Sequence, residues 1–166
     1  MKVSAEFRER VFWIQDDLQL DADYLMACMA FETGERFTAN VKNPASTATG
    51  LIQFMEFTAK RLGTTTKALA KMTPEDQLNY VWKYFNQWPK GSLKTLEDVY
   101  MAILYPKAIG KPLSYQMFIK GDDNYAVNAG LDTNKDHVVS KAEAAAKVLE
   151  KFNKGMKPPL VWQESA

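Results

Sequence analysis

Glu32 is the residue whose type and position best suit acid–base chemistry. It ends an apolar stretch in which Leu25, Cys28 and Met29 precede it at helical spacing, so all four side chains share one face of a predicted helix. A carboxyl group on a buried face loses hydration, which raises its pKa, and a glutamic acid that stays protonated near neutral pH can act as a general acid. The same pattern also allows a Glu32 that reaches water at the helix end or pairs with Arg36.

The composition narrows the chemistry open to the other residues. The chain has 166 residues, with 21 Lys and Arg against 20 Asp and Glu and a net charge of +1, which argues against nucleic-acid and polybasic membrane-surface binders. One cysteine excludes an intrachain disulfide and a thiolate metal cluster, and one histidine excludes most histidine-based zinc sites. We therefore expect chemistry based on carboxylates, hydroxyls, amides or oxygen-bound metals, with no organic cofactor, no nucleic acid and no membrane insertion.

Most of the elements that must position these catalytic and binding groups are predicted to be helices. Ser4 and either Asp21 or Asp23 are predicted N-caps, and Thr73-Pro74 starts a further helix. Helices are also predicted over 54–62 and 96–104, and a final helix over 141–152. Residues 35–50 are rich in Asn, Thr, Ser and Pro, which favours a loop or a short strand, and residues 106–126 are predicted to be irregular. The sequence predicts one mainly α domain over residues 1–166, with at most a small β element near residues 35–50.

A motif follows Glu32 along the chain. Phe31-Glu32-Thr33-Gly34 is followed by a polar loop, then by Gly50-Leu51-Ile52-Gln53-Phe54-Met55 and Thr58-Ala59. This order resembles the signature of the soluble lytic transglycosylase and goose-type lysozyme superfamily, particularly its phage members: a helix ending in ES or ET, then G-L-[MI]-Q-x-M and T-A. Ala102-Ile103-Leu104-Tyr105-Pro106 is similar to the family's A-x-Y-N stretch, with Pro106 in place of Asn, and residues 73–77 resemble its structural D-P-E-x-Q helix start.

The resemblance implies an α+β lysozyme-like fold and a peptidoglycan glycosidase that cuts the MurNAc–GlcNAc β-1,4 bond. It implies that Glu32 is the general acid and that Gln53 and Met55 line the glycan groove. It also implies that Tyr105, which matches the family's tyrosine, binds substrate and holds the sugar near Glu32 together with Gln53. Ser46 and Thr47 could position a water or an N-acetyl group, or could be turn residues bonded to their own backbone.

The product of such a reaction stays open at this point. A hydrolase needs a base or nucleophile on the other face of the sugar, and neither Glu35 nor Glu56 is an unambiguous second carboxylate. In the transglycosylase members of the family, one Glu acts as acid and then as base while the substrate's 6-hydroxyl closes a 1,6-anhydro ring.

A second motif lies near the C-terminus, over residues 132–143. Positions 1, 3, 5, 9 and 12 of this run carry the ligand types of an EF-hand calcium loop, and position 7 would supply a backbone carbonyl. The predicted ligands are Asp132, Asn134, Asp136, Val138, Ser140 and Glu143. The run resembles an EF-hand or dockerin-type loop followed by a helix to residue 152, with His137 where glycine is usual. The alternative is a capping box in which Ser140 and Glu143 start that helix. We expect a structural Ca²⁺ that affects stability more than chemistry.

Two other functions remain open, and so does the site of action. One is a non-catalytic calcium-binding phage structural module on a lysozyme scaffold, and the other is a cell-wall peptidase that uses Cys28 and His137. The start of the chain lacks the apolar segment of a signal peptide. We therefore expect synthesis in the host cytoplasm and action on periplasmic peptidoglycan strands, either after holin release or as a virion component. The expected form is a monomer or a part of a phage tail.

Overall fold

The structure, a computed structural model, describes residues 3–160, so the predicted domain limits at residues 1 and 166 lie outside the described residues. The helices are α1 (Ala5–Leu18), α2 (Ala22–Glu32), α3 (Glu56–Arg61), α4 (Thr66–Leu69), α5 (Pro74–Phe85), α6 (Leu96–Leu104), α7 (Asp123–Asn128) and α8 (Lys141–Gly155). Short 3-10 turns cover Pro106–Ala108 and Ala129–Leu131, and the strands are β1 (Gln116–Ile119) and β2 (Val138–Ser140). The predicted class, mainly α with a small β element, is confirmed.

The helix starts follow the predicted capping chemistry. The side chain of Ser4 accepts a hydrogen bond from the Phe7 amide, Asp21 caps α2, and Thr73 caps α5 with a proline in the first turn. These side chains satisfy amides that have no partner within the helix. Within residues 3–160, no helix has both the length and the apolar character needed to span a membrane.

Helix α2 lies at the centre of the core, in contact with α1, α6 and α8. The three apolar residues that precede Glu32 on its face, Leu25, Cys28 and Met29, are 1% exposed or less. Glu32 itself is half-buried at the end of this helix. The core therefore places its carboxyl group where apolar side chains give way to solvent.

The β element does not lie where the composition of residues 35–50 predicted it. That segment forms only the isolated bridges Lys42–Thr49 and Thr49–Phe54. The two-stranded antiparallel sheet joins β1 to β2, with Phe118 opposite Val139, and β1 lies in the segment that was predicted to be irregular. Met117 and Phe118 are both buried, so β1 lacks the alternation that would mark a half-exposed strand in the sequence.

Candidate functional site

Glu32 is the last residue of α2, and a tight turn carries the chain away from it. The hydroxyl of Thr33 donates to Met29 O at 2.7 Å and accepts from the Phe37 amide at 3.0 Å. Gly34, Glu35 and Phe37 all have positive φ. Arg36, considered as a partner for Glu32, donates through Nε to Thr33 O instead. Burial among apolar neighbours raises the pKa of Glu32 from its ordinary value of 4.5 to about 7.

Two buried weak acids share the environment of Glu32. Tyr100 of α6 is 3% exposed, and its ring meets that of Phe31 edge-on at 5.7 Å. Burial, and then the proximity of Glu32, raise the pKa of the Tyr100 phenol and also that of the Cys28 thiol. Both groups are therefore neutral at physiological pH, so neither adds a charge near the carboxyl group of Glu32.

The other two candidate carboxylates are held by different partners. Glu35 bonds Lys151 at 2.5 Å and Lys154 at 2.7 Å, both on α8, and these bonds lower its pKa to about 2. Glu56 accepts from the amide of Thr66 at 2.9 Å and from its hydroxyl at 2.5 Å, which lowers its pKa. Both carboxylates are thus engaged by groups other than Glu32.

The buried side chain of Gln77, on α5, supports the loop over residues 50–54. Its side chain is fully buried; Oε1 accepts from the Leu51 amide at 2.7 Å, and Nε2 donates to Ala39 O at 3.1 Å and Leu69 O at 3.0 Å. Gly50 has a φ of 84°, and a Cβ there would lie 2.2 Å from Gln77 Oε1. The sequence predicts only a helix start over residues 73–77, because periodicity carries no signal for a contact between α5 and a distant loop.

The predicted groove residues in and before this loop are tied to its backbone. Gln53, at a φ of 53°, donates through Nε2 to Val41 O at 3.2 Å and Gly50 O at 3.0 Å. The hydroxyl of Ser46 accepts from the Ala48 amide, as in a turn bonded to its own backbone. The hydroxyl of Thr47 instead accepts from the Glu56 amide, nine residues away, at the start of α3. Met55 is 46% exposed, so its side chain is open to a ligand.

Helix α6 connects this loop to Glu32. The Tyr84 hydroxyl donates to Ala102 O at 2.5 Å, and its ring meets Phe54 edge-on at 6.3 Å. On the same helix, Tyr100 is near enough to Glu32 for the carboxylate charge to raise the pKa of its phenol. Tyr105 leaves the helix at a φ of −155°, before a proline, and its half-buried ring packs on Phe118 with centroids 5.2 Å apart. Glu32, the 50–54 loop and Tyr105 are thus arranged around α6.

Residues 132–143 form the loop of a helix–loop–helix unit between α7 with its 3-10 extension and α8. Asp132 Oδ2 accepts from the Tyr125 hydroxyl at 2.7 Å and the His137 amide at 3.0 Å, whereas Asp132 Oδ1 is buried and has no hydrogen-bond partner. Lys135 and His137 have positive φ values of 60° and 71°. An unpartnered buried carboxylate oxygen, in a run of hard oxygen donors, fits a bound cation such as Ca²⁺.

The capping-box interpretation of the same loop also holds. The Ser140 hydroxyl accepts from the Glu143 amide, and Glu143 Oε2 accepts from the Ser140 amide at 3.0 Å. Glu143 Oε1 accepts from the amides of Thr133 and Asn134. Across residues 3–160, no three His, Cys, Asp or Glu side chains converge as a preformed metal site. The loop is closed by its own hydrogen bonds.

A cavity of about 110 Å³ lies on the opposite side of α2, against α8. Met26, Ala27 and Ala30 contribute its α2 wall, and Phe152 its α8 wall. At helical spacing, these three positions lie on the side of α2 opposite to the face that carries Glu32. The cavity is therefore separate from the candidate site.

No protein-family model and no curated protein matches the chain. Function is therefore inferred from the residues of the site.

Proposed function

We propose that this protein is a peptidoglycan-cleaving glycosidase, a lysozyme or lytic transglycosylase of phage type, with Glu32 as the general acid for the MurNAc–GlcNAc β-1,4 bond. One observation carries the proposal: Glu32 ends α2 half-buried among apolar side chains, with a pKa raised to about 7. A carboxyl group with a pKa near 7 keeps a proton on about half of the molecules at neutral pH and still has contact with solvent, as a proton donor to a bound glycan requires.

The residues around Glu32 suit the cleavage step. The protonated carboxyl donates its proton to the glycosidic oxygen as that bond breaks and positive charge develops on the sugar. The resulting Glu32 carboxylate then accepts a proton from the hydroxyl that attacks the sugar, which is either water or the substrate's own 6-hydroxyl. The neutral side chains of Tyr100 and Cys28 add no opposing charge beside it.

The positions of the other carboxylates favour the 1,6-anhydro product. Glu35 is committed to Lys151 and Lys154, and Glu56 to Thr66. An attack by the 6-hydroxyl needs only one carboxyl group, first as acid and then as base. Mass spectrometry of muropeptides released from purified peptidoglycan tests this, because anhydro products are lighter by one water than hydrolysis products.

We infer that residues 132–143 hold a calcium ion. Asp132, Asn134, Asp136, Ser140 and Glu143 would supply side-chain oxygens, and Val138 a backbone carbonyl. Asp132 Oδ1 supports this, because a buried carboxylate oxygen without a partner is costly unless a cation satisfies it. When bound, the ion offsets the repulsion between the carboxylates of the loop. Calorimetric titration of chelator-treated protein with calcium tests the site.

The alternatives differ in how cleavage responds to substitution. A peptidase using Cys28 is disfavoured because this thiol is fully buried and burial raises its pKa, whereas a reactive thiol needs access and a lowered pKa. A non-catalytic calcium-binding module would clear no peptidoglycan at all. Zymography separates the three: the glycosidase loses clearing with Glu32→Gln and keeps it with Cys28→Ala, and the peptidase shows the reverse.

The partner of this activity is the glycan strand of peptidoglycan. Action on the periplasmic wall, at host lysis after holin release or on entry as a tail component, follows from the same proposal. Lysis assays with permeabilised cells and immunoblots of purified virions distinguish the two roles.

A further inference from the structure

We propose that Phe118 and the Asp98–Lys141 ion pair are positioning residues that couple the 132–143 loop to Tyr105 in the glycan groove. This inference rests on the proposed glycosidase function and on the proposed calcium loop. It changes the expected role of the ion, since calcium would then affect glycan binding as well as stability.

The first connection runs through the sheet. Strand β2 is itself part of the loop, and its central residue, Val139, pairs with Phe118 of β1. Val139 is 0% exposed and Phe118 is 3% exposed. The other side of this contact is Tyr105, whose ring meets Phe118 at 5.2 Å and 70°. One aromatic side chain therefore separates the loop from the tyrosine that the proposed groove uses.

The second connection runs through a buried ion pair at the start of α8. Lys141, between the predicted ligands Ser140 and Glu143, is 2% exposed, and its Nζ lies 2.6 Å from Asp98 Oδ1 on α6. The same ammonium donates to Lys111 O at 2.8 Å, and Asp98 Oδ1 also accepts from the Gly110 amide at 2.9 Å. A buried ion pair is strongly unfavourable to break on one side, so it fixes the distance between its two elements.

Backbone bonds anchor the intervening segment. The Lys141 amide donates to Tyr115 O at 2.9 Å, and the Ala142 amide donates to Leu113 O at 3.0 Å. The chain from Tyr105 to β1 is thus held at several points by the last third of the loop. A rearrangement of residues 138–143 when an ion binds would therefore displace the segment between Tyr105 and β1.

Thermodynamic linkage turns this geometry into a measurable effect. If calcium favours the arrangement of Tyr105 that binds glycan, glycan must raise the calcium affinity by the same factor. We expect a factor of about five or more, the lower end of typical coupling between sites. The Glu32→Gln protein should be used, because it does not consume the glycan.

The experiment is a calorimetric titration of calcium into that protein, with and without a saturating N-acetylglucosamine hexamer. The expected result is a roughly fivefold lower calcium Kd in the presence of the hexamer. In addition, calcium alone should slow hydrogen exchange of the amides over residues 105–119 in the wild-type protein. Phe118→Leu should bind both ligands and lose most of the coupling. The matched control is Phe152→Leu, another ring-packed phenylalanine, on α8 against Tyr24, and it should keep the coupling.

The outcomes separate the inference from the proposals beneath it. Calcium and hexamer that both bind but do not affect each other, with unchanged exchange over 105–119, overturn the inference and leave both proposals standing. If the titration with calcium shows no heat of binding, both the calcium site and the coupling are overturned. A protein that binds calcium but not the hexamer overturns the coupling and counts against the glycan groove.

Discussion

Glu32 and Glu35 are three residues apart, yet their carboxyl groups lie in opposite environments. Burial among apolar groups raises the pKa of Glu32 to about 7, whereas hydrogen bonds from Lys151 and Lys154 lower that of Glu35 to about 2. Glu32 ends α2 close enough to Tyr100 of α6 to raise the pKa of that phenol, whereas Glu35 lies in the following turn and bonds the lysines of α8. At neutral pH Glu32 can donate a proton and Glu35 cannot. Substitution of Glu35 is therefore an internal control for substitution of Glu32.

Glu32→Gln is expected to abolish nearly all cleavage and leave the protein folded. Loss of a general acid slows a reaction by about a hundredfold or more, and the amide has almost the same shape as the acid. Glu35→Gln should retain activity near the wild-type level, because its carboxylate serves the lysines of α8. Turbidity assays on peptidoglycan measure both; a folded Glu32→Gln protein with normal turnover would exclude Glu32 as the acid.

Because the pKa of Glu32 is raised, the free energy of unfolding should depend on pH. The folded state holds a proton on this group that the unfolded state releases at about pH 4.5, so stability declines as pH rises from about 4.5 to about 7. The shift corresponds to about 3 kcal/mol of lost stability above that range. Glu32→Gln removes this cost and should therefore melt at a higher temperature than wild type at pH 8, with little difference at pH 4.

Differential scanning calorimetry at both pH values checks this expectation. The Glu35→Gln protein is again the control: its depressed pKa contributes stability above about pH 4.5 that is lost as pH falls through about 2, so the variant should gain nothing at pH 8. Equal melting temperatures for Glu32→Gln and wild type at pH 8 would contradict a buried, perturbed Glu32.

Gln77→Leu should destabilise the protein by about 3 kcal/mol or more. Leucine has a similar volume, but it leaves the Leu51 amide and the carbonyls of Ala39 and Leu69 without partners, at about 1–3 kcal/mol for each buried group. The 50–54 loop should loosen, and the folded protein should cleave more slowly. Urea unfolding measures the stability change.

Gln87→Leu is the matched control for Gln77→Leu. Gln87 is an exposed residue after the same helix, and its Nε2 donates to Tyr84 O at 2.7 Å. Its replacement should cost less than about 1 kcal/mol, since water can take the place of the lost bond. Similar losses for the two variants would show that Gln77 is not a special support of the loop.

The sequence predicts local features well and long-range contacts poorly. Helical spacing placed Glu32 on the buried face of α2, and capping residues located the start of α2 and of α5. The bond from Gln77 to the 50–54 loop and those from Glu35 to α8 join positions 26 and 116 or more residues apart, and no periodicity marks them. The sheet was missed because Met117 and Phe118 are buried side by side in β1.

His137→Gly should raise both the stability of the protein and its calcium affinity. His137 has a φ of 71°, in the left-handed region that costs a side-chain-bearing residue about 1 kcal/mol and glycine almost nothing. This residue precedes the Val138 carbonyl and donates its amide to Asp132 Oδ2, so its conformation sets two of the predicted ligands. The gain in affinity should stay below about tenfold, because the strain is only about 1 kcal/mol.

Calorimetric calcium titrations and thermal melts, each with and without chelator, measure the two effects of His137→Gly. Asp132→Asn is the control, because it removes the charge of the unpartnered oxygen and should weaken binding in either background. A wild-type protein at 100 times its Kd in calcium should be more stable than the chelated protein by about 2.7 kcal/mol. Identical melts and no binding heat in any variant would leave the segment as the capping box of α8 alone, with Ser140 and Glu143 bonded to each other's backbone.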